Sequence, residues 1–199
     1  MKGCQPLSAS QYRALLDAAG PAPWGHRDRA LWTLCAHTGL RISEALSLNV
    51  GQVFDGPKPR PRVTLPRRAA KGRENGRIIL IPGPAAHALE EWISTRPHWL
   101  PPDAEAPVFV SRHGERLSRR QALDRFKAAM EAAHIPPPHG SHTLRKTFAA
   151  HVWRLTDHDL RTTQEALGHA SPASTACYLE PAQDLYTTIL RNLDLETDS

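Results

Sequence analysis

The sequence predicts a mainly α domain carrying one small antiparallel β-sheet, an α+β arrangement, and three observations lead there. Apolar residues recur at three- and four-residue spacing through most of the 199-residue chain. That period breaks once, where two β-branched and aliphatic runs flank Asn75-Gly76, a strong turn signal. The 18 prolines gather between the periodic stretches, where breakers belong. A chain of this length buries roughly 70% of the surface its unfolded form exposes, so its core needs no disulfide staples.

Taken in order, a first helix spans 8–19, capped by Ser8 or Ser10, with Tyr12, Leu15, Leu16 and Ala19 on one stripe. Gly20-Pro21-Ala22-Pro23 stops it. Helical periodicity resumes over 27–37 through Ala30, Leu31, Leu34 and Cys35, and Gly39 ends it. A short helix over 41–48 turns Ile42, Ala45 and Leu46 inward. Residues 63–65 and 77–81 then form a hairpin or a three-stranded sheet whose exposed face is expected to be basic. Beyond Pro82 the chain is helical again over 85–95, 118–133, 141–154, 159–167, 173–179 and 182–192.

Cys4, Cys35 and Cys177 offer neither CxxC spacing nor an even count, which argues against both a disulfide framework and a structural zinc site. No apolar run approaches membrane-spanning or signal-peptide length, so a soluble, cytoplasmic protein is expected. The net charge of +5 is mild but unevenly placed. Residues 58–77 carry +7 and residues 112–127 carry +4, which leaves −6 for the remainder, with −4 in 180–199. Two basic segments on an otherwise acidic chain form an electrostatic footprint for a polyanion, although solvated surface charge is the simpler account. Arginines outnumber lysines 20 to 5, which suits bidentate phosphate contacts.

Several residues carry chemistry. In His142-Thr143-Leu144-Arg145 the histidine and second basic residue share a helix face at i, i+3. There a guanidinium can fork two oxygens of a phosphorane while the imidazole donates to a third. Leu167-Gly168-His169 places a helix stop before another histidine, and Tyr178 follows nine residues later. A tyrosine hydroxyl titrates near 10 and is a poor nucleophile at pH 7 unless such donors stabilise the transition state. Upstream, Arg41 and Glu44 stand three apart, so the carboxylate could orient the guanidinium or simply form a surface pair.

Together these segments resemble the tyrosine recombinase (phage integrase) family, and the resemblance covers residues 7 to about 190. Residues 34–48 are similar to the family's box around its first catalytic arginine, which implies that role for Arg41, with Glu44 supporting it. The HxLR box implies His142 and Arg145, the LGH box implies His169, and Tyr178 stands where the nucleophile is expected. Ala70-Lys71-Gly72 followed by Arg77-Ile78-Ile79-Leu80-Ile81-Pro82 looks like the hairpin bearing the catalytic lysine. That makes Lys71 the candidate general acid, ahead of Arg73 and Lys58. Leu80 stands where a proline is common, and Asp157-His158 replaces the usual glycine-containing turn.

The resemblance implies the tyrosine recombinase catalytic-domain fold over 1–199 as one domain, with no N-terminal core-binding domain, in a chain similar in size to the fimbrial phase-variation invertases. It implies cutting and rejoining of DNA through a 3′-phosphotyrosyl link, with no metal and no cofactor. The implied partners are double-stranded DNA with inverted-repeat sites, three further copies in a homotetramer, and accessory DNA-bending proteins at the nucleoid. Arg67, Arg68, Arg73, Arg77, Arg119 and Arg120 are the expected phosphate contacts. Type IB topoisomerase-like chemistry and a non-catalytic DNA-binding regulator are the alternatives.

Overall fold

The computed structural model describes residues 4–65, 77–98 and 103–168. Helix α1 (Ala9–Asp17) starts at Ser8, whose hydroxyl accepts the Gln11 N–H while Gln11 Oε1 accepts the Ser8 N–H at 2.9 Å, a reciprocal capping box. Helix α2 (Trp24–Thr38) begins three residues before its predicted start. The carbonyls of Pro21 and Pro23 accept the Gly25 and Arg27 N–H groups, and proline is tolerated in a first turn because its missing N–H would have no helical partner there. Gly39 ends α2 in the left-handed conformation at φ 66°.

Helix α3 (Ile42–Leu46) is shorter than the periodicity suggested, because Arg41 is extended and serves as the N-cap. Helix α4 (Val50–Val53) and the two-residue strands β1 (Phe54–Asp55) and β2 (Lys58–Pro59) are too short for any period to reveal. Strands β3 (Arg62–Leu65) and β4 (Arg77–Leu80) pair antiparallel, with Val63 opposite Ile79. The described strands thus form two separate two-stranded sheets in place of the single sheet expected. Arg67, Arg68, Lys71 and Arg73 of the expected basic face lie outside the described residues, and the described face of β3–β4 is mixed. It presents Arg62 and Thr64 beside Ile78 and Leu80, which are 65% and 63% exposed. Strand alternation requires this, since Val63, Leu65 and Ile79 already take the inward positions.

Helix α5 (Gly83–Thr95) carries Pro84 in its first turn, and α6 (Arg119–Ala132) repeats the capping box with Ser118 and Gln121. Helices α7 (Thr143–Leu155) and α8 (Leu160–Leu167) follow, and Gly168 closes α8 at φ 65°. The junction between them holds Asp157 at φ 48° and His158 at φ 69°, two non-glycine residues in the left-handed region.

Helix α2 is the central element and packs against α5, α7, α3 and α6. It is buried on most sides, so its apolar residues run nearly all round rather than along one stripe. Trp32 meets Phe126 of α6 edge-on at 5.9 Å, and Trp92 of α5 donates its indole N–H to the Val108 carbonyl at 2.7 Å. This framework fixes the C-terminal end of α2 against the N-terminal end of α7. No helix among the described residues is long and apolar enough to cross a membrane.

Candidate functional site

The site is assembled where α2 ends, α3 begins and α7 begins. The chain must reverse sharply after Thr38, and Gly39 allows it: a Cβ there would stand 2.5 Å from Cδ1 of Phe148 on α7. The close approach brings the Gly39 carbonyl to Arg145, whose Nη1 donates to it. Arg145 Nη2 donates to the Leu167 carbonyl at 2.9 Å, at the last turn of α8. One guanidinium, 1% exposed, therefore ties the ends of α2 and α8 to α7.

Arg41 and Glu44 form the second part. Glu44 is 3% exposed, and its Oε2 accepts the Arg41 backbone N–H at 2.7 Å while Oε1 accepts from Arg41 Nη1 at 2.8 Å. The Arg41 side chain remains 38% exposed, so its guanidinium is oriented yet reachable. Oε2 of Glu44 also lies 4.0 Å from Arg145 Nη1. A single buried carboxylate thus faces two guanidinium groups from elements a hundred residues apart. Beneath them Cys35 is fully buried, and burial, reinforced by Glu44, pushes its thiol far above the ordinary range.

His142 is the N-cap position of α7 rather than a residue of its first turn, and it is exposed. His142 and Arg145 nonetheless remain neighbours, because the Arg145 charge acts on the imidazole. Arg145 turns inward to the carbonyls, and His142 stays at the rim. Its pKa is lowered below the usual 6.5, first by partial burial and then by the charges of Arg145, Arg41, Arg119 and Lys146. A pKa held below 6.5 favours the uncharged imidazole at neutral pH, the form that can act as a proton acceptor. Thr143, fully buried, pins the approach to the helix by accepting the Gly140 N–H at 2.9 Å through its hydroxyl.

Arg119 at the start of α6 is exposed and reaches Ser141 Oγ at 3.4 Å, which places it beside His142. Arg120 is exposed as well. Two other cations of the 112–127 segment, Arg116 and Arg125, are hydrogen-bonded within the fold. Arg116 donates to the Leu46 carbonyl at 2.6 Å and to Asn49 Oδ1 at 2.5 Å, and Arg125 donates to Asp28 Oδ2 at 2.8 Å. Arg77 is the first residue of β4. Lys71, Arg67, Arg68, Arg73, His169 and Tyr178 lie outside the described residues, as do the helices expected over 173–179 and 182–192. Lys146 was missed by sequence reasoning. It is 9% exposed on α7, one turn after His142, whose titration its charge depresses. Its i+4 spacing from His142 was the available signal.

With this geometry in view, the model of the phage integrase family matches residues 5–184. Tyrosine recombinase XerC 1 of Ralstonia nicotianae is 37% identical over 183 residues, covering 86% of this chain and 55% of the relative. Tyrosine recombinase XerC of Alcanivorax borkumensis is 35% identical over 178 residues, covering 86% and 54%. The chain spans about half the length of these curated relatives. Among solved structures, the XerA recombinase superposes with a TM-score of 0.74 at 25% identity, covering 96% of this chain and 66% of that one. The catalytic domain of bacteriophage HP1 integrase shares the fold with a TM-score of 0.58 at 22% identity, over 98% of both chains. The chain belongs to the phage integrase family.

Proposed function

We propose that the chain is a site-specific DNA recombinase of the tyrosine class, cutting and rejoining DNA through a 3′-phosphotyrosyl intermediate. The observation that carries this reading is the buried Glu44 carboxylate facing both Arg41 and Arg145, with His142, its pKa lowered, at the rim. Two fixed guanidinium groups suit a phosphorane whose negative charge grows in the transition state, and preorganised donors of this kind lower barriers by a few kcal/mol each. Further support comes from the family match and from structural relatives solved on DNA, such as XerH bound to its palindromic difH substrate.

In this mechanism the Tyr178 hydroxyl attacks the scissile phosphorus and its proton passes to His142. The bond to the 5′ oxygen breaks, and Lys71 supplies the proton that makes the leaving group a 5′-hydroxyl. His169 joins Arg41 and Arg145 in holding the non-bridging oxygens. The 5′-hydroxyl of a partner duplex then attacks the phosphotyrosyl link, so the phosphodiester energy is conserved. Exchange of two strand pairs calls for a homotetramer on inverted-repeat DNA, with accessory DNA-bending proteins, acting at the nucleoid in the cytoplasm. Arg67, Arg68, Arg73, Arg77, Arg119 and Arg120 contact flanking phosphates and make affinity salt-dependent.

The test is covalent trapping on nicked duplexes drawn from inverted repeats beside the coding region. Wild-type chain is expected to yield a protein–DNA adduct, and Tyr178→Phe to lose the adduct while still shifting the DNA. Trapping retained by Tyr178→Phe reassigns the nucleophile, with Tyr186 the next candidate. A wild-type chain that shifts DNA without an adduct is a regulator. Relaxation of supercoiled plasmid without recombinant products makes it a topoisomerase.

A further inference from the structure

A cavity of about 290 Å³ lies between the first turns of α2, the 111–113 turn and α6. Trp24, Arg27, Arg112, His113, Gln121 and Arg125 are among its lining residues. Asp28, which is 1% exposed, pairs with two of the lining arginines. Oδ1 of Asp28 accepts from Arg27 Nε at 2.9 Å and Nη2 at 2.6 Å, and Oδ2 accepts from Arg125 Nε at 2.8 Å. Arg27 is itself 3% exposed, donates through Nη1 to the Val110 carbonyl at 2.9 Å, and lies 5.2 Å over the Trp24 ring.

One buried carboxylate cannot neutralise this group. With Arg112 exposed at the mouth, the cavity holds three guanidinium groups against one carboxylate, a surplus of two positive charges. A cation 97% buried and fixed on three sides keeps two of its five N–H donors without a protein acceptor among the described residues. A positive, preorganised, partly desolvated pocket of this kind selects a compact anion, and forked N–H donors select phosphate. The volume is at the small end of ligand pockets and fits one phosphate with its ester neighbours.

We propose that this cavity is a second phosphate-binding subsite, separate from the Arg41–Arg145 centre. Resting on the DNA-acting reading above, it seats a backbone phosphate of the duplex flanking the cut. Its placement supports that source: Arg119 lies beside His142, and Arg125 follows six residues later on α6, about 9 Å along the axis at 1.5 Å per residue. A duplex carries one charge per about 1.7 Å of its axis, so flanking phosphates pass within that span. A free phosphate compound is the other source of the same chemistry.

The experiment uses the full chain, Arg112→Gln and Gln121→Glu. Arg112 is exposed, and a glutamate at 121 keeps the oxygen that caps Ser118 while placing an acid in the cavity. Pyrophosphate is titrated calorimetrically without DNA, and affinity for a mixed-sequence 30-base-pair duplex is measured across a salt series. Wild-type chain is expected to bind pyrophosphate, with at least a tenfold loss in each variant, and Arg112→Gln is expected to reduce the magnitude of the log K against log salt slope by about 0.9. Pyrophosphate losses with an unchanged slope support the subsite with a free phosphate as its ligand. Pyrophosphate losses in a chain that binds no duplex support the subsite and refute the DNA reading. Pyrophosphate binding that is absent, or equal in all three proteins, overturns the subsite whatever the slope does.

Discussion

Replacing Glu44 with glutamine removes one charge from the centre of the site while keeping its shape. The carboxylate is 3% exposed and makes two short hydrogen bonds, at 2.7 and 2.8 Å, to Arg41. A hydrogen bond to a charged group contributes about 1.5–3 kcal/mol, and a glutamine oxygen recovers only part of it. The Arg41–Glu44 side-chain pair adds less than about 1 kcal/mol, because a guanidinium 38% exposed is screened by water. Arg145 weighs more. It is 1% exposed and loses the anion 4.0 Å away, and breaking a buried pair costs about 3–5 kcal/mol, moderated here by the Gly39 and Leu167 carbonyls. The glutamine amide also points a donor at guanidinium donors. Together these terms give a loss of about 3 kcal/mol. With a urea m-value of about 2–3 kcal/mol/M, the unfolding midpoint followed by far-UV circular dichroism should fall by about 1 M with m unchanged. Covalent trapping should weaken with it, since both arginines lose their reference point. A midpoint within about 0.3 M of wild type would refute the reasoning, because Arg145 would then need no carboxylate.

The other predictions follow from backbone geometry and titration. Asp157→Gly should stabilise the chain by about 0.5–1 kcal/mol. Relief of a left-handed residue at φ 48° outweighs the extra chain entropy, and a lower urea midpoint would contradict it. Gly39→Ala should cost about 2–4 kcal/mol, because φ 66° is strained for alanine and its Cβ would meet the Phe148 ring at 2.5 Å. An unchanged melting temperature would show that α7 can withdraw freely. His142 should titrate below 6.5 when its ring protons are followed by NMR, and a midpoint at or above 6.5 would remove the cationic surroundings from the account. The sign for stability follows from the lowered pKa. Between the folded value and 6.5 the unfolded chain binds more protons, so this contribution is complete above 6.5 and is lost as the pH falls through that window. His142→Asn should flatten that part of the profile.

The local parts of the fold were legible because their causes are local. Ser8 with Gln11 and Ser118 with Gln121 are capping boxes written in four residues, and Gly39 and Gly168 mark helix ends that only a left-handed residue closes. The β3–β4 pairing followed from two β-branched runs. Strands of two residues, as in β1 and β2, hold too few positions for a period to form. The glycine-less turn at Asp157-His158 was visible as a departure, and the structure shows what it entails, two side-chain-bearing residues at positive φ. The 112–127 segment was visible as charge, but not which of its exposed cations are tied down, because Arg116 and Arg125 find acceptors 67 to 106 residues away.

The sequence by itself determined which residues could act: the boxes around Arg41, His142 and Arg145 lie in short windows, and the Arg41–Glu44 pair closes across a single helical turn. Only the tertiary structure decided what each does. Arg145 spends donors on carbonyls 106 and 22 residues distant, His142 stays at the rim, and the Asp28 cluster joins residues 97 apart. Such partners depend on how α2, α6, α7 and α8 pack, and packing is a property of the whole core that no window of neighbouring residues encodes.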